Sequence, residues 1–210
     1  YHRHPVDIHT LYAIKAVENI QNDSVKDVYD SLSDHEKFLL KTSILFHDIG
    51  KGRGRDHHEV SENIFRKFAK SIELDEHSTQ VVSKIVRYHN MLNKVATTED
   101  IYSQKVILNF VGLMEHELAL KLLYVHTYAD ICAVNVSTYN SSTASLLKEL
   151  YTNSILGFEN KDLVKVSTRR VAKENAIKKT KEFKTLPISL QKKISKIDSN
   201  YLFLKYKARD

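Results

Sequence analysis

The sequence predicts an all-α fold. Three observations carry that prediction: apolar residues recur at helical spacing along most of the chain, period-2 alternation is nearly absent, and only five Gly and two Pro serve the turns that hairpins need. With 210 residues and 42% apolar content the chain can bury a proper core, which argues against disordered and fibrous classes. No apolar run approaches the roughly 18 residues that cross a bilayer, so the expectation is a soluble protein with no membrane partner.

The elements follow in order. After Pro5, Asp7 is expected to cap a first helix carrying His9, Leu11, Ile14 and Val17. A short second helix is expected from Ser24 to Leu32. Ser33 and Glu36 form a capping-box pair. The helix they open is expected to bury Phe38, Leu39, Ile44 and Leu45 and to deliver His47 and Asp48 at its far end, where Gly50, Gly52 and Gly54 break it. From His57 a further helix presents Val60, Ile64, Phe65 and Phe68, and from Asp75 another presents Val81, Val82, Ile85 and Val86 before ending near His89. Two more carry Val106, Ile107, Phe110 and Val111, then Leu118, Leu122, Leu123 and Val125 leading to Asp130. The sum is a bundle of about seven helices.

Beyond Tyr151 the pattern weakens into Lys-rich amphipathic segments around Val171 to Phe183 and Leu190 to Ile197, split by Pro187 and closing on Tyr201, Leu202, Phe203 and Leu204. Charge changes with it: residues 161–210 hold 15 basic and 5 acidic residues, leaving 17 and 21 for residues 1–160, so the net +6 of the chain resides in its tail. Residues 1–153 are therefore read as one domain and 154–210 as a basic, mostly helical C-terminal extension. A basic helix pair without interleaved aromatics is usually a solvated face, so nucleic acid is not the expected partner. The opening on Tyr1, without Met or leader, reads as a segment of a longer protein. The single cysteine, Cys132, lies in an apolar stretch, which excludes an internal disulfide and fits a reducing, cytoplasmic setting.

The chemistry centres on His47 and Asp48. Neighbouring helix residues diverge by about 100°, so they can grip one ion only near a helix end, and the glycines that follow supply that end. A His/Asp donor set without thiolate suits Mn²⁺ or Mg²⁺, with Fe, Co, Ni or Zn as alternatives. Other candidates fall at helix ends or on apolar faces: His9, Asp56, His57, His89 and Asp130. Singly, His9 reads as a hydrogen-bonded core histidine and His89 as a favourable C-terminal charge. His58 rivals His57, and His126, one turn before Asp130 on the same face, is nominated by spacing as well. His2, His4, His35, His77 and His116 read as solvated residues or caps.

The order His9, His47-Asp48, His57, His89, Asp130 resembles the HD superfamily. The run Phe46-His47-Asp48-Ile49-Gly50-Lys51-Gly52-Arg53-Gly54-Arg55-Asp56-His57 resembles the HD domains of bifunctional PII uridylyltransferase/uridylyl-removing enzymes, as do Val6-Asp7-Ile8-His9-Thr10-Leu11, Thr127-Tyr128-Ala129-Asp130-Ile131-Cys132-Ala133 and Leu146-Leu147-Lys148-Glu149-Leu150-Tyr151. The resemblance implies an HD-type helical bundle that removes UMP from a tyrosine of a PII nitrogen-regulatory protein with metal help. It implies His9, His47, Asp48 and Asp130 as core ligands, His57 and His89 as completing a second site, and hence one or two ions.

Lys51, Arg53 and Arg55, on the loop beside Asp48, would then neutralise charge on the phosphoryl group, Lys51 foremost. It further implies a nucleotidyltransferase domain upstream and ligand-sensing domains downstream in the full-length protein. Members of the family usually carry an apolar residue at the position of His126, and they usually differ at Tyr139-Asn140-Ser141-Ser142-Thr143 and His4-Pro5. The alternatives are an HD hydrolase of free nucleotides or cyclic dinucleotides, and a catalytically silent regulatory or scaffolding module.

Overall fold

The computed structural model describes residues 5–53, 56–159 and 161–195, with backbone alone over 161–167. Among these, every regular element is helical: α1 (Val6–Glu18), α2 (Asp23–Asp30), α3 (Asp34–Phe46), α4 (His57–Ser71), α5 (Glu76–Tyr88), α6 (Met91–Thr98), α7 (Gln104–Met114), α8 (Glu117–Val134), α9 (Ser141–Phe158), α10 (Lys161–Lys179), α11 (Lys181–Thr185) and α12 (Ile188–Ser195), with a 3-10 turn at Val136–Thr138. The all-α expectation holds. No helix among the described residues is long and apolar enough to cross a membrane.

Local chemistry sets most boundaries. The Ser33–Glu36 capping box forms in both directions and starts α3, and the Asp75 carboxylate accepts from Ser78 N to start α5. Asn22, two residues before the expected start of the second helix, caps α2 by accepting from Val25 N. Asp7 is not a cap. Pro5 occupies the N-cap of α1 without a side-chain bond, and Asp7 sits in the first turn, where its charge faces the positive helix end.

α8 runs through the centre, flanked by α1, α3, α5 and α9. It buries Leu120, Leu123, Tyr124, Val125 and Ala129 on several sides, so no single apolar stripe marks it. Elsewhere the apolar faces are rotated from expectation. On α3 the buried apolar residues are Leu39, Leu40 and Ile44, while Phe38 and Leu45 are 45% and 51% exposed, and on α1 Leu11 is 63% exposed. Phe38 instead stacks on His35, and Leu11 and Leu45 line a cleft beside Asp48.

Helix α6 was not anticipated: its eight residues bury only Leu92, Val95 and Ala96, too brief a stripe for periodicity to reveal. The tail is more continuous than its composition suggests. α9 runs unbroken through positions 153 and 154, α10 begins at Lys161 rather than near Val171, and α10 packs along α7. Gly157 allows α9 to approach α7 closely, since a Cβ there would lie 3.0 Å from Ile107 and 3.1 Å from Val111. Ile197 and the Tyr201–Leu204 run lie outside the described residues.

Candidate metal centre

Five of the six residues expected to ligate metal meet where α1, α3, α5 and α8 come together. His9, on α1, and Asp130, on α8, are 121 positions apart, yet His9 Nε2 lies 2.8 Å from Asp130 Oδ1. His47 follows the last turn of α3, with its Nε2 3.2 Å from Asp48 Oδ2 and 3.6 Å from Asp130 Oδ1. His89 follows α5, and its Nε2 lies 3.9 Å from Asp48 Oδ1. Two overlapping triads result, His9 with His47 and Asp48, and His47 with His89 and Asp130, each offering ligand atoms within 4.8 Å of one another. All are buried except Asp130, whose side chain is 25% exposed.

The backbone fixes which imidazole nitrogen is offered. His47 Nδ1 lies 2.7 Å from Ile44 O and His89 Nδ1 lies 3.0 Å from Val86 O. A carbonyl accepts only, so each ring donates its Nδ1–H and turns Nε2 toward the cluster, the tautomer a metal ligand needs. The loop after Asp48 is pinned by Gly50, whose N–H donates to Ser61 Oγ at 2.9 Å. A Cβ on Gly50 would meet the His57 carbonyl at 2.3 Å, so this close approach of the loop to α4 requires glycine.

Electrostatics oppose one another here. Burial disfavours the His47 imidazolium, but Asp130 and Asp48 overcome it and raise its pKa to about 9. Burial pushes the Asp48 carboxyl up, yet His47 and Lys51 hold it well below the carboxylate range. Asp130 is likewise held far down, by His47 and His9 against burial. His89, buried and facing the His47 charge, is lowered to about 4 and is neutral at pH 7. His47 Nε2 and Asp48 Oδ1 are buried without a hydrogen-bond partner. Two anionic carboxylates, imidazole nitrogens turned inward and two unsatisfied donor atoms fit a divalent cation, which would satisfy both.

The remaining candidates divide. Lys51 Nζ contacts Asp48 Oδ2. Lys51 and Arg53 line a cleft of about 590 Å³ that reaches Asp48 between Thr10, Leu11 and Leu45. Arg55, like Gly54, lies outside the described residues, as do His2 and His4. His57 falls outside both triads. It is half-buried with its ring 3.9 Å from that of His58, and it is His58 whose ring lies 4.8 Å from His89. Burial and the neighbouring His57 lower the His58 pKa. Asp56 caps α4, accepting from His58 N and Glu59 N at 3.2 Å each, and holds Arg87 at 3.1 Å.

His126 also borders the cluster but belongs to neither triad. It is completely buried, its ring 5.2 Å from His47 and 5.9 Å from His89, and burial with those two neighbours drives its pKa far down. The i, i+4 spacing to Asp130 places it on the same face of α8, whereas the resemblance expects an apolar residue at this position. Among the surface histidines, His35 bonds Ser78 Oγ at 3.0 Å, and His77 packs against His116.

Residues 6–124 match the HD domain family. The chain is similar to a bifunctional uridylyltransferase/uridylyl-removing enzyme of Legionella pneumophila (strain Paris), 34% identical over 156 residues, which is 72% of this chain and 18% of that protein. Its counterpart in Pseudomonas aeruginosa (strain UCBPP-PA14) is 36% identical over 159 residues, 73% of this chain and 18% of the relative. That of Rhodospirillum rubrum is 32% identical over 159 residues, 73% and 17% respectively. The chain thus spans about a fifth of the length of these relatives. Helix ends and a His/Asp cluster suited to a divalent ion agree with the match over more than half the chain: this protein belongs to the HD domain family of metal-dependent phosphohydrolases.

Proposed function

We infer that the chain is a metal-dependent phosphodiesterase of the uridylyl-removing type, releasing UMP from a tyrosine of a PII-type signalling protein. The observation that carries this reading is the overlap of the two His/Asp triads at the end of a cleft that also holds Lys51 and Arg53. His9, His47, Asp48 and Asp130 are the core ligands and His89 extends the set. The sixth ligand comes from the His57–His58 pair, His57 by the resemblance and His58 by its contact with His89. Mn²⁺ or Mg²⁺ suits these donors best, as one ion or two, with Fe, Co, Ni or Zn compatible. A bound divalent ion supplies Lewis acidity toward a phosphoryl oxygen and lowers the pKa of water in its shell.

The side chains have separate tasks. Ile44 O and Val86 O hold His47 and His89 in the tautomer that presents Nε2. Asp130 orients His9. Lys51, 22% exposed at the cleft and in contact with Asp48, places an ammonium where an incoming phosphodiester brings negative charge, and Arg53 adds a second cation at the rim. Water adds across the phosphorus–tyrosyl oxygen bond, its hydroxyl to phosphorus and its proton to the tyrosyl oxygen, giving UMP and the unmodified tyrosine. We assign the catalytic unit to residues 1–153 and treat 154–210 as an extension. In the relatives' manner it would be one segment of a cytoplasmic protein with a nucleotidyltransferase domain before it and ligand-sensing domains after it.

The test is manganese-dependent release of UMP from uridylylated PII, run beside a panel of free nucleotides and cyclic dinucleotides. Release from the protein substrate is expected. Hydrolysis confined to free nucleotides would overturn the protein-substrate reading while leaving the phosphohydrolase in place.

A further inference from the structure

A second cleft, of about 580 Å³, lies between the α4–α5 pair and the C-terminal helices α10 and α11. It shares no lining residue with the cleft at the metal centre. On its α5 wall, Ser83 is 1% exposed and its Oγ has no hydrogen-bond partner. One turn on, Arg87 Nη1 is buried and equally unpartnered, although Nη2 reaches Asp56 at 3.1 Å and Glu59 at 3.6 Å. Folded proteins rarely leave buried donors unsatisfied, and two at i, i+4 on the wall of one cavity indicate that something else completes them.

The opposite wall supplies charge. Lys178 and Lys179 end α10 and Lys184 belongs to α11. The lining holds six cations and three carboxylates. Each carboxylate is already engaged, Glu62 by Arg66 at 3.0 Å, and Asp56 and Glu59 by Arg87. Lys178 pairs with Glu174, whereas Lys179 and Lys184 have no ion pair among the described residues. An unpartnered hydroxyl and guanidinium N–H on one wall and two ammonium groups without an ion pair on the other make a donor-rich, cationic lining, which suits the acceptor oxygens of phosphate.

We propose that this cleft binds a small oligophosphate anion, one phosphate on Ser83 and Arg87 and the next on Lys179 and Lys184. The basic C-terminal helices are then half of a binding site that the bundle alone lacks. The site is independent of the metal centre, and it adjoins that centre through Asp56, which both pairs with Arg87 and caps the helix bearing His57 and His58.

The test is isothermal titration of the full chain with pyrophosphate and, separately, with ATP, in a chelating buffer that removes competition from metal-bound phosphate. Saturable binding at one site is expected. Lys179→Ala/Lys184→Ala, on exposed positions that do not threaten folding, should weaken it at least ~10-fold, as loss of charge-assisted bonds does. Ser83→Ala should weaken it by about threefold or more without lowering the melting temperature, because it deletes a hydroxyl the fold leaves unused. Equal affinities for the two ligands would show that phosphate is the whole ligand; tighter binding of ATP would show that the cleft also holds the nucleoside. No binding of either at millimolar concentration, or binding indifferent to both variants, overturns the proposal.

Discussion

Replacing His126 by Leu should stabilise the metal-free protein, because the fold surrounds this imidazole with one partner where it needs two. The Ser43 hydroxyl donates its only hydrogen to Leu40 O at 2.7 Å. It can therefore only accept at its 2.9 Å contact with His126 Nδ1, which fixes the proton on Nδ1. Nε2 is then a bare acceptor, buried without a donor. An orphan of this kind costs about 1–3 kcal/mol, while the Nδ1–H bond contributes about 0.5–1.5 kcal/mol. Leucine removes both at similar volume and strands nothing, since Ser43 keeps its bond to Leu40. The net expectation is a gain of about 1 kcal/mol. For a chain of this size that is a rise of about 2–4 °C in melting temperature. Urea and thermal denaturation in a chelating buffer would measure it. A loss of more than about 1 kcal/mol would refute the accounting, by showing that Nε2 has a protein partner or that the ring is held by packing leucine cannot reproduce.

Three further outcomes are expected. Ser33→Ala removes the reciprocal cap of α3 and should cost about 1 kcal/mol, read as a lower urea midpoint at unchanged slope. Lys51→Ala should leave the melting temperature close to wild type and lower kcat by about 10²–10³-fold; an unstable protein with no activity to lose would instead favour a scaffolding role. Metal uptake should expel a proton: the His47 pKa is raised to about 9, so at pH 7.5 the ring is protonated in the metal-free state, and binding releases about one proton and weakens by up to about tenfold per unit as pH falls. Titrations in buffers of different ionisation enthalpy count that proton, and a count of zero would show that Nε2 does not take part.

What was legible in the sequence is what short-range chemistry controls. Ser33 and Glu36 state a helix start in four residues, and Asp75 and His89 bracket α5 with the boundaries found. His47-Asp48 before three glycines placed the chemistry at a helix end without any knowledge of packing. The meeting of His9 with Asp130 was not derivable this way, because it depends on α1 lying along α8, and only the family resemblance joined them. Faces were legible to within a rotation. Periodicity names a stripe, but the neighbours decide which edge of it is covered, so Leu40 is buried while Phe38 and Leu45 emerge. Composition was silent on the packing of the tail, because a lysine-rich stretch carries too little apolar periodicity to announce that α10 lies along α7.

The use of helix ends by this centre has a backbone cause. The last carbonyls of an α-helix have no N–H four residues ahead to accept from. At the ends of α3 and α5 one such carbonyl, Ile44 O and Val86 O, is satisfied by the imidazole three residues later. The bond resolves two demands together, the orphan acceptor and the choice of tautomer, and it leaves Nε2 directed away from the helix that supplied the ring. A histidine within a helix, whose neighbouring carbonyls are already taken, obtains neither. His126 shows the difference: inside α8 it must borrow Ser43 from α3 to fix its proton, and its Nε2 ends without a partner. Moving the C-cap of α3 by one residue would therefore cost His47 its acceptor as well as its position, which ties the chemistry of the centre to where the helix stops.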